Sequence, residues 1–192
     1  MAKVLLLGPQ GSGKGTQARL ISQSFGIPHI ATGDILRSAM ADGTELGRKV
    51  KPIYDSGHLV PDELMIGIIR DRLARADTEN GFILDGFPRT LAQAEALEGM
   101  LKEIGKDLDV VFVLQLPEQV AVDRLANRAL IEGRKDDTPE AIAKRLELYR
   151  RETEPLIEWF RVRSNVVPVH GERSIDDVFS EIQQALEQAA VA

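Results

Sequence analysis

The sequence predicts an α/β fold in three layers, with a five-stranded parallel sheet between two layers of helices. Five short runs rich in apolar and β-branched residues alternate along the chain with helical patterns, as in α/β proteins. These runs span residues 4–7, 28–31, 82–85, 110–116 and 166–169. Each run is apolar at consecutive positions, which is typical of strands that are buried on both faces.

The first predicted strand leads into a glycine-rich turn, Gly8-Pro9-Gln10-Gly11-Ser12-Gly13-Lys14-Gly15-Thr16. The GxxxxGK spacing from Gly8 to Lys14 is that of a P-loop, although Gly15 displaces the usual hydroxyl residue to Thr16. Glycines let the backbone wrap a phosphate chain, and a helix N-terminus and a lysine add positive potential. A plain turn with a surface lysine is the alternative, but the strand–turn–helix order favours a P-loop. We therefore expect a polyphosphate to bind here.

The helices carry recognisable start signals. Residues 61–63 (Pro-Asp-Glu) open one helix, and residues 138–140 (Thr-Pro-Glu) open another. The apolar face of the second continues to Phe160, so we expect one long helix that bends at Pro155. Ser174 is expected to cap the last helix.

Two stretches interrupt the regular alternation of strands and helices. Residues 32–60 contain two short helical patterns, which is more than one crossover between strands needs. Residues 129–137 (ALIEGRKDD) form a polar, glycine-containing segment between two helices. We expect both to be excursions from the core that can move.

Composition excludes several classes of function. The 192 residues include 30 acidic and 24 basic ones, and the net charge of −6 argues against a general nucleic-acid binder. No apolar run approaches the roughly 20 residues of a membrane span, and no signal peptide is expected ahead of the first strand. With no cysteine and three scattered histidines, we expect no disulfide and no zinc site. A cytoplasmic monomer is the simplest expectation.

An acidic protein that binds polyphosphates must concentrate its cations at one place. Outside the P-loop, the arginines in notable positions are Arg37, Arg89, Arg124, Arg128, Arg134 and Arg145. Taken singly, each is more often a solvated residue or an ion-pair partner. Two phosphate chains brought together repel each other by roughly 4 kcal/mol for each pair of charges 4 Å apart, at an effective dielectric of 20. One lysine does not offset that repulsion. Taken together, the arginines therefore suggest that the site also holds a second phosphate chain.

Five motifs match the adenylate kinase family in order and separation. They are Gly8 to Thr16, Thr32-Gly33-Asp34, Val60-Pro61-Asp62, Asp85-Gly86-Phe87-Pro88-Arg89 and Gly133-Arg134-Lys135-Asp136-Asp137. The chain resembles that family from Lys3 to its final helix, and Lys-Gly-Thr is the family's form of the loop. The resemblance implies a core domain (residues 1–30, 61–128 and 138–192), a nucleoside-monophosphate-binding insert (31–60) and a lid (129–137). It also implies transfer of a phosphoryl group from Mg-ATP to AMP, giving two ADP, and the reverse.

The resemblance assigns residues to each nucleotide. For ATP they are Gly11, Ser12, Gly13, Lys14, Gly15, Thr16, Arg124, Arg128, Gly171 and Arg173. For AMP they are Thr32, Gly33, Arg37, His58, Leu59, Val60, Gly86, Phe87, Pro88, Arg89, Gln93, Arg134 and Arg145. The residues implied in catalysis are Lys14, Arg89, Arg124, Arg128, Arg134 and Arg145.

The implied cofactor is Mg²⁺, bound as Mg-ATP. By the resemblance, Asp85 corresponds to the carboxylate that orients Mg²⁺ through water, and Thr16 is a second candidate ligand. A structural role for Asp85, accepting hydrogen bonds from amides at the strand end, is the alternative.

Thr32 and Gln93 bear on which nucleotide accepts the phosphoryl group. A glutamine amide offers both a donor and an acceptor, which suits the N6 and N1 edge of adenine. Kinases of the same family that act on UMP or CMP typically carry Ala and Asn at these positions, so we expect AMP. A UMP/CMP kinase is the first alternative. A P-loop switch is the second, but no guanine-reading Asn-Lys-x-Asp motif is present.

Only five residues separate Arg128 from Arg134. Long-lid bacterial members of the family insert a small β-domain at this point, sometimes with a zinc site. The chain has neither the residues nor the cysteines for such a domain, so it resembles the short-lid form.

Overall fold

A computed structural model of the protein describes residues 2–134 and 136–189. Its five strands form one parallel sheet in the order β2-β3-β1-β4-β5. The strands are β1 (Lys3–Leu7), β2 (His29–Ala31), β3 (Phe82–Asp85), β4 (Val110–Gln115) and β5 (Val166–His170). Each predicted strand is confirmed to within one residue at either end, and the predicted α/β fold is confirmed. Lys135, one member of the predicted lid motif, lies outside the described residues.

Helices connect the strands. They are α1 (Lys14–Phe25), α2 (Thr32–Ala41), α3 (Glu45–Asp55), α4 (Asp62–Leu73), α5 (Leu91–Glu103), α6 (Glu118–Glu132), α7 (Pro139–Leu148), α8 (Leu156–Arg161) and α9 (Ile175–Ala189). A 3-10 turn (Ala76–Thr78) and a π-helical segment (Tyr149–Thr153) complete the regular structure of the described residues. None of the helices in this part of the chain is both long and apolar enough to span a bilayer.

The core lies on both faces of the sheet. Along β1, Val4 and Leu6 belong to the apolar cluster that includes residues of α1 and α9, whereas Leu5 and Leu7 belong to the cluster on the opposite face. All four side chains are nearly inaccessible to solvent. Because successive strand residues point to opposite faces, burial on both sides requires the uninterrupted apolar runs seen in the sequence.

Two helical predictions were inaccurate. α6 continues to Glu132, so the first part of the segment predicted to lie between helices is helical. Ala, Leu, Ile and Glu sustain a helix, and Gly133, with φ of 62°, ends it in the left-handed conformation. The predicted single bent helix is instead interrupted by the π-helical segment, and α8 begins only after Pro155. Proline lacks the amide hydrogen that would continue the helix from the preceding turn.

The excursion between β2 and α4 consists of α2 and α3, as predicted. Thr44 caps α3 through its hydroxyl, which accepts a hydrogen bond from the Gly47 amide at 3.0 Å. The two helices approach so closely that a Cβ at Gly47 would lie 1.9 Å from the carbonyl oxygen of Ala39. Gly47 is therefore a packing requirement of this helix pair.

Replacing Gly47 by Ala is expected to lower the free energy of unfolding by about 1–3 kcal/mol or more, because the added methyl group overpacks the contact between α2 and α3. Gly67→Ala is the matched control, since Gly67 lies within α4 and a Cβ there would meet nothing within 4 Å. That variant should gain about 1 kcal/mol from helix propensity. Urea denaturation measures both values, and equal effects of the two substitutions would contradict the packing described here.

Candidate active site

A cleft of about 540 Å³ opens at the carboxyl ends of the strands. In a parallel sheet these ends share one edge, so the segments that follow β1, β2, β3 and β5 can all border it. The predicted site residues that line the cleft are Gly11, Ser12, Gly13, Lys14, Gly15, Thr16, Gly33, Arg37, His58, Asp85, Gly86, Pro88, Arg89, Arg124, Arg128, Arg134, Arg145, Gly171 and Arg173. Residues from distant parts of the chain thus meet in one cavity.

The P-loop curls around the ammonium group of Lys14. Gly13 adopts a left-handed conformation, with φ of 93°, as the N-cap of α1. Lys14 Nζ donates hydrogen bonds to the carbonyl oxygens of Gly8 at 2.7 Å and of Pro9 at 2.8 Å. Burial lowers the pKa of Lys14 to about 8, and the charges of Arg89 and Arg128 act in the same direction against Asp85. An added anion in the cleft would reverse this shift by favouring the charged ammonium.

Asp85 lies at the end of β3 beside the P-loop. Its Oδ2 lies 3.6 Å from the position that a Cβ on Gly15 would occupy. His29 Nε2 lies 3.3 Å from the same oxygen. Burial raises the pKa of Asp85, but the hydrogen bond from His29 and the charge of Lys14 outweigh it, so the pKa lies below its usual range. The carboxylate is therefore ionised in the neutral range.

Sequence reasoning missed His29. The only signal for it was its place in β2, which pairs in parallel with β3 so that Ala31 lies opposite Asp85. His29 itself lies opposite Ile83, and because residues two apart on a strand share a face, its side chain reaches the Asp85 carboxylate diagonally.

The turn after β3 aims Arg89 into the cleft. Arg89 Nε donates to the carbonyl oxygen of Gly86 at 2.8 Å. Gly86 has φ of 84°, and a Cβ there would lie 2.5 Å from Thr32 Oγ1 and 3.1 Å from Arg89 Nη2. Burial lowers the pKa of Arg89, and the nearby charges of Arg145 and Arg37 lower it further. These three guanidinium groups are thus close enough to repel one another.

Two carboxylates after α6 hold two of the predicted arginines. Arg128 makes a bidentate pair with Asp137, at 2.7 and 2.9 Å. Arg145 donates to Asp137 at 2.7 Å and to Asp136 at 3.0 Å. Burial raises the pKa of Asp136, but the charge and hydrogen bond of Arg145 outweigh it and hold that pKa below its usual range. Sequence reasoning gave these two aspartates no separate role.

The other predicted cations are also paired with protein groups, Arg37 with the Asp34 carboxylate and the Tyr54 hydroxyl. Arg134 Nε donates to Glu132 at 3.0 Å. Arg124 Nη1 donates to the carbonyl oxygen of Gly171 at 2.8 Å. Arg173 forms an ion pair with Glu181.

Ile175, the first residue of α9, also borders the cleft and is 56% exposed. It is the first residue of the apolar pattern of α9, a position that is typical of a core residue. An exposed apolar side chain at a cleft is a natural surface for a flat ring.

Five residues predicted for AMP do not line the cleft: Thr32, Leu59, Val60, Phe87 and Gln93. Thr32 Oγ1 supports the turn after β3 by donating to the Gly86 carbonyl oxygen at 3.0 Å. Gln93 is 2% exposed. Its Oε1 accepts from the Arg89 amide, and its Nε2 donates to Asp62, both at 2.8 Å.

The residues at this edge suit Mg²⁺ more than a metal held in a protein cage. Among the described residues, no group of three or more His, Asp or Glu side chains could hold a metal ion. Mg²⁺ needs no such cage, because it commonly keeps several waters and binds one carboxylate together with substrate phosphates. The ionised carboxylate of Asp85 and the hydroxyl of Thr16 beside the P-loop fit that pattern.

The sequence profile of the adenylate kinase family matches residues 6–165. The chain belongs to the adenylate kinase family. An adenylate kinase of Cyanothece sp. (strain PCC 7425) is 49% identical over 98% of this chain and 96% of its own length. An adenylate kinase of Xanthomonas campestris pv. campestris (strain 8004) is 48% identical, and one of Clostridium botulinum (strain Loch Maree) is 45% identical. Both of these alignments cover 96% of this chain and 98% of the relative.

The lowered pKa of Lys14 predicts that the binding of ATP at pH 8 is accompanied by a net uptake of protons from solution by the Lys14 side chain. About half of the Lys14 side chains are neutral at that pH, and the phosphates favour the charged form, so the uptake should be about half a proton per site. Calorimetric titration in buffers of different ionisation enthalpy measures it.

Lys14→Arg is the matched control for this measurement, because a guanidinium stays protonated throughout. The difference in uptake between the wild-type protein and this variant should vanish near about pH 6.5, where Lys14 is already charged. No difference at pH 8 would contradict the lowered pKa.

Proposed function

We propose that the protein is an adenylate kinase that transfers a phosphoryl group reversibly between Mg-ATP and AMP, giving two ADP. The observation that carries this proposal is the convergence of a P-loop with arginines from several segments on one cleft. A P-loop accounts for one phosphate chain. The guanidinium groups around Arg37, Arg89 and Arg145 suit a second.

The donor half of the cleft is assigned to ATP. The amides of residues 11–16 face its β-phosphate region, with Lys14 beside them. Arg124 and Arg128 reach the phosphates, and the turn at Gly171 and Arg173 lies along the adenine. A Cβ at Gly171 would lie 3.0 Å from the Ser12 carbonyl oxygen, so this turn sits against the P-loop. Ile175 gives the adenine an apolar surface.

The acceptor half is assigned to AMP. Arg37 and Arg89 bind its phosphate by forked hydrogen bonds, and Arg134 and Arg145 bridge the two reacting groups. Gly33 and the segments at residues 58–60 and 86–88 shape the pocket, and Thr32 and Gln93 select adenine. Hydrogen bonds with the Arg89 amide and with Asp62 fix the orientation of the buried Gln93 amide. The positions of its second N–H donor and of its second oxygen lone pair, which would meet the adenine edge, are therefore fixed as well.

We infer a direct in-line transfer in which an oxygen of the AMP phosphate attacks the γ-phosphorus of ATP. The nucleophile is already anionic, so no side chain needs to act as a general base. The chain's contribution is to position the two groups and to stabilise the charge that develops between them. Mg²⁺, held near Asp85 and Thr16, would supply further charge neutralisation on the ATP phosphates.

The three-part division of the chain belongs to this proposal. Residues 31–60 carry the monophosphate, residues 129–137 cover ATP, and the remaining residues form the core. Closing the cover excludes water, which could otherwise accept the phosphoryl group. We also infer that the enzyme is a cytoplasmic monomer without nucleic-acid or membrane partners, in line with its net charge of −6.

Arg89→Ala is expected to lower kcat/KM for AMP by about a hundredfold or more, because it removes a buried cation from the acceptor phosphate. A coupled assay of ADP formation at saturating ATP measures the change. Arg72→Ala is the control, since Arg72 pairs with Asp77 away from the cleft at 2.7 Å. Near-normal kcat/KM for AMP in the Arg89 variant would show that the acceptor site is assigned wrongly.

The choice of acceptor is tested with AMP, CMP and UMP at equal concentrations. We expect rapid ADP formation only with AMP, because the Gln93 amide suits the edge of adenine. Faster turnover of CMP or UMP would instead identify a pyrimidine nucleotide kinase.

A further inference from the structure

Tyr54, near the end of α3, lies between arginines from two different parts of the chain. Its hydroxyl oxygen accepts a hydrogen bond from Arg37 Nη1 at 2.5 Å. Its ring lies 5.3 Å from the guanidinium carbon of Arg145, and its carbonyl oxygen accepts from Arg145 Nη2 at 3.3 Å. The side chain borders the cleft.

The hydrogen bond with Arg37 determines which way the Tyr54 hydroxyl can act. A guanidinium has five N–H donors and no acceptor, so the phenolic oxygen must be the acceptor in this bond. The hydroxyl keeps its own proton. Among residues 2–134 and 136–189, the hydroxyl takes part in one hydrogen bond, the one that it accepts from Arg37. Its own proton therefore has no acceptor among these residues.

Guanidinium groups lie around the hydroxyl, and two of them are already paired with carboxylates: Arg37 with Asp34, and Arg145 with Asp136 and Asp137. A Cβ at Gly33 would lie 3.6 Å from the Tyr54 oxygen and 3.0 Å from Arg37 Nη1, so the hydroxyl faces the Thr32-Gly33-Asp34 turn. Arg145 lies over the ring, and Arg89 lies close enough for its pKa to respond to Arg37 and Arg145. A hydroxyl proton among guanidinium groups is complementary to an anion.

We propose that Tyr54 is a direct ligand of the acceptor phosphate, to which its hydroxyl donates a hydrogen bond beside Arg37 and Arg89. This inference rests on the proposed function, because it takes the phosphate to be that of AMP. A neutral donor holds the phosphate without adding a positive charge. It therefore withdraws less electron density from the attacking oxygen than another arginine would.

Tyr54→Phe removes the hydroxyl and keeps the ring that lies under Arg145. We expect KM for AMP to rise about tenfold, which is the loss of one hydrogen bond to a charged group. KM for ATP and the midpoint of thermal unfolding should stay unchanged. Tyr149→Phe is the matched control, because it removes the chain's other phenolic hydroxyl, on a residue that also borders the cleft. Among the described residues no hydrogen bond or cation–π contact joins the Tyr149 side chain to Arg37, Arg89 or Arg145, so KM for AMP should stay within about twofold.

Calorimetric binding of AMP and of adenosine separates a residue that acts on the phosphate from one that only shapes the pocket. Repeating Tyr54→Phe in an Arg37→Ala background separates a direct ligand, whose loss still weakens AMP binding there, from a residue that only orients Arg37, whose loss has no further effect. Tyr54→Phe should weaken AMP about tenfold and leave adenosine unchanged, because adenosine has no phosphate. Unchanged AMP affinity, or equal weakening of both ligands, would overturn the inference. The ratio of the two affinities stays informative even if the variant is less stable.

The inference can fail without the proposed function failing. If the wild-type enzyme forms no ADP from AMP and ATP, the proposed function is wrong. If the wild-type enzyme forms ADP and Tyr54→Phe keeps its affinity for AMP, the inference alone is wrong.

Discussion

Repulsion among like charges is the constraint on which the rest of this cleft depends. Lys14, Arg89, Arg128 and Arg145 converge at one edge of the sheet in a protein whose net charge is −6. Such a group of cations is stable only with anions close to it. Asp85, Asp136 and Asp137 supply them from inside the protein. Asp137 forms ion pairs with Arg128 and Arg145, Asp136 pairs with Arg145, and Asp85 lies near Lys14 and is hydrogen-bonded to His29. The same cations that suit phosphates are held in place by carboxylates.

A consequence is that phosphate oxygens and carboxylates are alternative partners for the same guanidinium groups. Asp137 contacts both Arg128 and Arg145, so a phosphate that engages either arginine competes with one carboxylate. An exchange of partners of similar geometry needs little net free energy, because both states pair the charges. Asp137 thus ties the segment after α6 to two arginines that line the cleft.

The parallel sheet explains why this arrangement is possible in a chain of this size. Strand order β2-β3-β1-β4-β5 places the P-loop after the central strand, with the turn carrying Arg89 on one side. The turn at Gly171 lies on the other side, after β5. The P-loop and the Arg89 turn each follow a buried strand, whereas β5, which precedes the Gly171 turn, is only partly buried. Rigid strands fix where the loops begin, while α2, α3 and the segment after α6 remain outside the sheet.

Features fixed by local sequence were predictable. Apolar runs gave all five strands, the GxxxxGK spacing gave the P-loop, and Ser174 caps α9 as predicted, with its hydroxyl accepting from the Asp177 amide. Contacts between distant residues were not predictable from periodicity. His29 meets Asp85 only through the pairing of β2 with β3. Tyr54 meets Arg145 across 91 positions of sequence. Spacing carries no information about such contacts, because they depend on tertiary packing.

A crystal structure with a two-headed inhibitor, in which five phosphates join two adenosines, tests the central claim most directly. We expect one adenosine near Ile175 and the other near Gln93. The guanidinium groups of Arg37, Arg89, Arg128, Arg134 and Arg145 should surround the phosphate chain between them. Electron density for only one nucleotide, with Arg37 and Arg134 turned into solvent, would contradict a site built for two.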